Sequence, residues 1–230
     1  MKLRTLLSIA TLAVTVSACE SAPHNKSFAA TSPSALIVLA GPVNGSENTD
    51  VFRHVDLSAN RFTGDALRIV VSTYGMLSAM NAGSNQINVS DSAKTVALAI
   101  QEVPPGDYAW VEYSRTAGSS VYGLVMGGCL NENAPVFSVA AGEIAILRID
   151  GIALESAGPG KSRRRPLSEA PSDDSVLAQF EKARLDYPSI VGPVKVLQPI
   201  AAIRWEQAQA NHFEGRGCGE PPTFERIGSR

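Results

Sequence analysis

The chain has 230 residues, with 20 Lys and Arg against 22 Asp and Glu and a formal net charge of −2. This length allows one large or two small domains with a buried core. The single basic run, residues 161–166, lies in a stretch rich in Gly, Pro and Ser and has no interleaved aromatic residues, so the sequence predicts no nucleic-acid partner.

The first 18 residues have the pattern of a bacterial export leader. A basic start is followed by a short apolar run over residues 6–16 and by the small residues Ser17 and Ala18. That run is too short to span a bilayer as a permanent helix. An ordinary secretory leader with an accidental cysteine is the alternative interpretation.

The sequence Val16-Ser17-Ala18-Cys19 resembles the lipobox of bacterial lipoproteins, whose cysteine is acylated before the leader is cleaved. The resemblance implies a signal peptide over residues 1–18 and a palmitate-type lipid on Cys19. Glu20 stands in place of the aspartate associated with inner-membrane retention. The absence of aspartate at this position implies that the lipid is anchored in the outer membrane, with the protein on the periplasmic face.

Residues 19–34 are predicted to form a flexible tether between the lipid and the folded domain. They are rich in Ser, Ala, Pro and Asn and show no apolar periodicity. Residues 20–34 would extend to at most about 50 Å, which holds the domain close to the membrane.

Residues 35–150 are predicted to form an antiparallel β-sandwich. Short runs rich in β-branched and aromatic residues recur with turn-forming residues between them. Continuous apolar character over residues 144–147 indicates a central strand. The predicted strands cover residues 35–40, 66–72, 94–101, 107–113, 120–126, 135–140 and 143–150. The predicted turns between antiparallel neighbours cover residues 41–46, 104–106, 131–133 and 141–142.

Residues 151–172 are predicted to be a Gly, Pro and Arg-rich loop, after which residues 173–230 form a helix and a tail packed on the sandwich. Ser172 or Asp173 would cap the helix. An apolar stripe then follows at helical spacing, and Pro188 ends the helix. The stripe comprises Val176, Phe180, Ala183 and Tyr187. Residues 194–197 alternate like a strand, and residues 200–210 fit a strand or a helix. The predicted fold class is mainly β, with an appended C-terminal amphipathic helix.

Cys129 and Cys218 are predicted to form a disulfide, because an even pair of cysteines in an exported protein meets an oxidising compartment. Two buried free thiols are the alternative. No metal or other cofactor is predicted, because the three histidines are scattered and neither cysteine has a second ligand nearby.

Other candidates for chemistry are weaker than their structural explanations. Ser119 and Ser120 lack the spacing of a nucleophile turn. Glu102 and Asp107 flank a Pro-Pro-Gly turn and are carboxylate candidates, but charged residues normally border turns. His54 and Asp56 alternate onto one face, where a solvent-facing pair is favoured over a base and its orienting group.

Several aromatic residues are candidates for a sugar or peptide platform. Tyr108, Trp110 and Tyr113 lie on one predicted strand, and Tyr122 and Trp205 would add to them. Packing in the core explains Tyr108 and Trp110 equally well, so the ligand-binding residues stay unknown at this point.

Two segments carry a family resemblance. Val103-Pro104-Pro105-Gly106-Asp107-Tyr108 resembles the "PPG-x-Y" turn of small β-sandwich lipoproteins of Gram-negative bacteria, and it is similar to the turn of the carboxypeptidase-regulatory, transthyretin-like sandwich. Residues 137–144 resemble the "F-x-V-x-x-G-E" segment that follows in those lipoproteins. The resemblance implies a fold and a cellular address, and it brings no catalytic residues.

These patterns together lead us to expect a lipid-anchored periplasmic protein that binds a partner or has a structural role in the cell envelope. An envelope protein or a glycan is the expected partner, besides the membrane that the lipid on Cys19 would enter. The sequence shows no nucleophile beside a base, so no catalytic residue is predicted and the chain is not expected to be an enzyme. A cell-wall hydrolase and an accessory subunit of a membrane assembly are the alternatives.

Overall fold

The structure is a computed structural model, and it describes residues 27–42, 47–72, 86–90, 95–117, 124–147, 152–158, 161–166, 172–185, 187–206, 218 and 223–227. Cys19 and the predicted leader lie outside these residues. The described elements, in chain order, are β1 (Ala35–Pro42), β2 (Glu47–Asp56), β3 (Arg61–Ser72), β4 (Gln86–Ser90), β5 (Thr95–Val103), β6 (Gly106–Ala117), β7 (Leu124–Cys129), β8 (Ala134–Val139), β9 (Ile144–Leu147), β10 (Ile152–Gly158), β11 (Lys161–Pro166), α1 (Asp173–Arg184), β12 (Val194–Leu197), β13 (Ala201–Arg204) and β14 (Glu225–Ile227). The fold is therefore mainly β with one helix among the described residues.

The smaller sheet has five strands in the order β12-β9-β1-β5-β4. β5 is antiparallel to both β1 and β4, but β9 is parallel to β1 and β12 is parallel to β9. The prediction of antiparallel neighbours is therefore wrong for β1 and β9, which pair with each other in parallel. The chain leaves β9 and returns to β12 through α1, and such a crossover brings a strand back in the same direction.

The larger sheet has nine strands, and β6 is its central member. One edge of β6 pairs with β2, while the other pairs with β7 over Glu112 to Ala117 and with β8 over Gly106 to Ala109. Residues 130–133 interrupt what is otherwise one long strand opposite β6. The sequence predicts a turn between antiparallel neighbours at residues 131–133, but β7 and β8 run in the same direction, so the chain does not reverse there.

The other three predicted turns do not lie between neighbouring strands of one sheet. The turn predicted at residues 41–46 stands between β1 of the smaller sheet and β2 of the larger one. Residues 104–106 lead from β5 in the smaller sheet to β6 in the larger one, and residues 141–142 lead from β8 in the larger sheet to β9 in the smaller one. These segments are therefore arches across the core and not hairpin turns. The described hairpin turn at residues 57–60 joins β2 to β3, which pair with each other.

The apolar side chains form two clusters, one on each face of the smaller sheet. In β1, Ile37 and Leu39 point into a cluster shared with the larger sheet, whereas Leu36 and Val38 point into a cluster shared with α1. β9 is divided in the same way, since Ala145 and Leu147 face the larger sheet. Strands buried on both faces are apolar on both faces, which explains the central strand predicted at residues 144–147.

The helix α1 begins and is oriented as its sequence predicts. The Ser172 hydroxyl oxygen accepts a hydrogen bond from the Ser175 backbone N–H at 3.2 Å, which satisfies one free donor of the first turn. The buried residues of the helix are Val176, Phe180 and Ala183. Tyr187 belongs to the same cluster but follows the end of the helix. No described helix is long and apolar enough to span a membrane.

The predicted tether is too long at its C-terminal end. Phe28 is 5% exposed and packs with α1 and the smaller sheet. Its backbone N–H donates to the Ser189 carbonyl at 2.9 Å, and its carbonyl accepts from the Val191 N–H at 2.7 Å. Gly142, with φ +70°, approaches the Ala30 carbonyl so closely that a Cβ would clash with it. The folded domain therefore includes residues 27–34.

The predicted loop at residues 151–172 is also wrong in part. β10 and β11 form an antiparallel hairpin, in which Leu154 lies opposite Arg164 and Glu155 lies opposite Arg163. The basic run is thus a strand and not a solvated loop. Further along the chain, β12 confirms the strand predicted at residues 194–197, and β13 shows that residues 201–204 form a strand.

Candidate functional site

The structure contains a disulfide between Cys129 and Cys218, the pair predicted from the sequence. Their Cα atoms are 5.5 Å apart, and the two residues are separated by 89 positions along the chain. Both cysteines are buried. The Cys218 backbone N–H also donates to the Glu112 carboxylate at 3.4 Å, so β6 and the end of β7 together hold this part of the C-terminal region.

The end of the described chain packs against the larger sheet near the turn between β2 and β3. The Phe224 N–H donates to the Asn60 carbonyl at 3.0 Å, and Thr223 forms a bridge with Arg61. β14 then pairs with β13. The C-terminal segment therefore contacts two different edges of the larger sheet.

An aromatic cluster lies beneath this segment. The ring of Phe62 meets Trp205 edge to face at 5.4 Å and Phe224 at 5.2 Å. The Arg53 guanidinium lies 4.7 Å from the centre of the Phe62 ring, within the range of a cation–π contact. Trp205 and Phe224 are buried, so they act here as core residues.

The aromatic platform considered for Tyr108, Trp110 and Tyr113 is not formed. Trp110 is fully buried between the sheets, and its Nε1–H donates to the Glu112 carbonyl at 3.0 Å. Tyr108 is buried in the same cluster, and Tyr113 is half-buried against it. Tyr122 lies outside the described residues. Core packing therefore accounts for the described members of this group.

Tyr108 stabilises the Pro-Pro-Gly arch that precedes it. Its hydroxyl donates to the Pro104 carbonyl at 2.8 Å, which is the pattern of a tyrosine corner, where a strand is tied to the backbone a few residues upstream. Gly106 has φ +149°, and a Cβ there would clash with the His54 imidazole. The "PPG-x-Y" sequence thus has a local physical role at the arch between the sheets.

The variant Tyr108→Phe is expected to lose about 1 kcal/mol of unfolding free energy at neutral pH, because a single hydrogen bond is removed. Burial raises the pKa of the Tyr108 phenol above its usual value of 10.0. As the pH rises, Tyr108 therefore ionises in the unfolded chain before it ionises in the folded one. Its stabilising contribution is complete below pH 10 and is lost as the pH rises above it. The difference in unfolding free energy between parent and variant, measured by urea titration, should therefore shrink above pH 10. A difference that stays constant with pH would show that burial does not raise the pKa of Tyr108.

His54 and Asp56 have separate structural partners. The His54 Nδ1 lies 2.6 Å from the Thr63 hydroxyl. Asp56 accepts hydrogen bonds from the Ser58 hydroxyl at 2.6 Å and from the Ala59 backbone N–H at 3.1 Å. These bonds, Ser58 first, lower the pKa of the Asp56 carboxyl. Asp56 therefore organises the hairpin turn and does not orient His54.

The carboxylates of Glu102 and Asp107 lie on strands of different sheets. Glu102 is exposed and accepts a hydrogen bond from the Ser32 hydroxyl at 3.3 Å, while Asp107 is half-buried on β6. Ser119 and Ser120 lie outside the described residues. Among the described residues, no group of three or more His, Cys, Asp or Glu is placed to hold a metal ion.

Sequence reasoning missed three buried polar residues, which are Asp50 in β2 and, next to turns, Asn131 and Glu143. Asn131 is 1% exposed, and among the described residues its carbonyl oxygen Oδ1 has no hydrogen-bond partner. The same holds, within that part of the chain, for the nearby indole Nε1 of Trp205. Glu143 is 4% exposed and pairs with Lys195 at 3.3 Å. Asn131 lies in a predicted turn, and Glu143 directly follows one. Turn sequences normally indicate solvated residues, so the sequence did not distinguish these two residues from exposed ones.

Comparisons with known proteins do not extend this description. No protein-family model and no curated protein matches the chain. A crystal structure of a Parabacteroides distasonis protein, provisionally named a cell adhesion protein, is similar with 11% sequence identity and a TM-score of 0.29. The similarity covers 61% of this chain and 39% of that protein, and at this score it supports no argument about fold or function.

Proposed function

We propose that this chain is a lipid-anchored periplasmic protein of the outer membrane, with a binding or structural role in the cell envelope. The observation that carries the proposal is the sequence Val16-Ser17-Ala18-Cys19 directly after a short apolar run and a basic start. Acylation of Cys19 would anchor the mature chain, and the remaining residues would form the tether and the folded domain.

The proposed fold is a β-sandwich, in which α1 is appended to the outer face of the smaller sheet. In support, Ile37 and Leu39 from the smaller sheet share one cluster with Phe52 and Trp110 from the larger sheet. Two sheets packed face to face in this way form a sandwich core. Most of the strand pairs are antiparallel, while β1, β9 and β12 run in the same direction.

A binding or structural role is favoured over catalysis by what the candidate side chains do. His54 is hydrogen-bonded to Thr63, Asp56 to the turn after β2, and Glu102 to Ser32. Each of these groups therefore has a local structural explanation. The proposed partner is another envelope protein or a glycan close to the membrane. Crosslinking in intact envelopes, followed by purification of this chain, would identify a partner within reach of the tether.

The variant Cys19→Ser is expected to lose incorporation of a fatty-acid analogue completely, because the acylated sulfur is removed. Cells that express the parent or the variant would be labelled with the analogue, and the purified chains would be compared. The double variant Cys129→Ala with Cys218→Ala is the matched control, since it removes the other two cysteines together and leaves the predicted lipid site intact. It should be labelled like the parent when equal amounts of purified chain are compared. Equal labelling of the Cys19→Ser variant would show that the proposed anchor is wrong.

A further inference from the structure

Three large apolar side chains are exposed among the described residues. They are Leu185 at 79%, Val191 at 58% and Ile200 at 52%. Leu185 directly follows α1, and Val191 follows the turn after it. Exposed Pro188 lies between them. We call Leu185, Pro188 and Val191 the apolar tip.

The apolar tip lies where the described chain begins. The Val191 N–H donates to the Phe28 carbonyl at 2.7 Å, and Phe28 forms a parallel bridge with Ile190. The turn itself is closed by the Ile190 N–H, which donates to the Tyr187 carbonyl at 3.0 Å. The position of Phe28, and therefore the direction from which the N-terminal segment arrives, is fixed at this end of the domain.

Only eight residues, 20–27, separate Cys19 from Phe28. Nine peptide steps extend to at most about 30 Å. A lipid on Cys19 would therefore hold the end of the domain that carries Phe28 within about 30 Å of the bilayer.

The charges described near this end are largely paired within the domain. Arg184 pairs with Glu181 at 2.6 Å, and Lys195 pairs with the buried Glu143 at 3.3 Å. Attraction to anionic lipid is therefore not the dominant effect expected here. Apolar side chains that enter the boundary between headgroups and acyl chains bind zwitterionic lipid as well.

We propose that the apolar tip contacts the lipid bilayer and fixes the orientation of the domain on the membrane. This inference rests on the proposed acylation of Cys19, which places the tip within reach of the lipid. The opposite end of the smaller sheet, where Ile200 lies, would then face away from the membrane. β12 separates Val191 from Ile200 along the chain, and the Ile200 N–H is bonded to Val136 of the larger sheet at 2.8 Å.

The test uses the full mature chain, purified with its lipid and reconstituted in phosphatidylcholine vesicles. Val191→Trp places a fluorophore in the apolar tip, and Leu185→Trp is a second, independent probe. Ile200→Trp is the matched control, because it also replaces an exposed apolar side chain. The native Trp110 and Trp205 are buried, and their signal is subtracted with the parent protein. Vesicles with brominated acyl chains then quench any indole that contacts the lipid interior.

We expect brominated vesicles to reduce the added fluorescence of Val191→Trp and Leu185→Trp by about twofold or more, as for side chains at the acyl boundary, and to leave Ile200→Trp unchanged. Equal quenching of all three variants, or of none, overturns the proposed orientation. If Val191→Trp is protected from aqueous acrylamide but not quenched by brominated lipid, a second copy of this chain covers the tip and the membrane proposal is wrong.

Flotation of the same vesicles separates this inference from the proposed anchor. A chain that does not float with the vesicles shows that the anchor proposal fails, and the inference that depends on it fails as well. A chain that floats, but whose Val191→Trp and Leu185→Trp variants are not quenched, keeps its anchor and disproves only the orientation.

Discussion

Replacing Trp110 with alanine is expected to lower the free energy of unfolding by about 3–5 kcal/mol. The indole is fully buried in the cluster that joins the two sheets, and its Nε1–H donates to the Glu112 carbonyl at 3.0 Å. Alanine would remove the largest fully buried side chain and leave a cavity lined by both sheets. Urea unfolding followed by circular dichroism would measure the loss without depending on tryptophan fluorescence.

Two controls separate this effect from a general sensitivity of the fold. Trp110→Phe keeps an aromatic ring in the core but removes the hydrogen bond, so a smaller loss is expected than for alanine. Ile200→Ala changes an exposed side chain and is expected to stay within about 0.5 kcal/mol of the parent. If Trp110→Ala were no less stable than Ile200→Ala, the indole could not lie in the shared core.

The sequence predicts the positions of most strands because their side-chain period is visible in it. A continuous apolar run at residues 144–147 indicated burial on both faces, and β9 is indeed enclosed between the larger sheet and α1. The helix was equally visible, because Ser172 supplies a cap and Val176, Phe180 and Ala183 recur at helical spacing. Local chemistry determines these features, so local sequence was sufficient.

The pairing of the strands could not be predicted in the same way. A Pro-Pro-Gly sequence shows where the chain leaves a strand, but it contains no information about which sheet the next strand joins. The sequence therefore predicts a turn between neighbours both at the arch of residues 104–106 and at residues 131–133, where the chain does not reverse. Parallel pairing of β9 with β1 and β12 depends on contacts distant in sequence.

Composition also misled the prediction at two segments. Residues 152–166 contain Gly and Pro, which are depleted in strands, yet backbone pairing forms the hairpin of β10 and β11. In the predicted tether, Phe28 is a single aromatic residue without periodic neighbours. Its burial depends on Ser189 and Val191, more than 150 positions away.

For the candidate site, the pairing of Cys129 with Cys218 followed from a count of cysteines, whereas the buried Asn131 looked like an ordinary turn residue.

The double variant Cys129→Ala with Cys218→Ala is expected to be about 2–5 kcal/mol less stable than the parent. The disulfide spans 89 positions, and the chain-entropy account assigns roughly 4–5 kcal/mol to a loop of this size, since the bond restricts the unfolded chain. Both cysteines are replaced together so that neither leaves a reactive thiol. The measurement is denaturant unfolding of the mature chain. Both proteins carry Cys19→Ser, so the parent retains Cys129 and Cys218 and the double variant contains no cysteine.

The same experiment tests whether the disulfide is present and what it stabilises. The native Cys19→Ser protein should offer no thiol to an alkylating reagent, and reductant should lower its stability toward that of the double variant. The double variant itself should not respond to reductant, which makes it the matched control. The C-terminal segment should loosen first, because β14 is the last strand in the described order of the larger sheet and pairs there with β13. Amide exchange should therefore rise in β14 before it rises in β6. Two reactive thiols in the native, unreduced protein would show that Cys129 and Cys218 are not bonded.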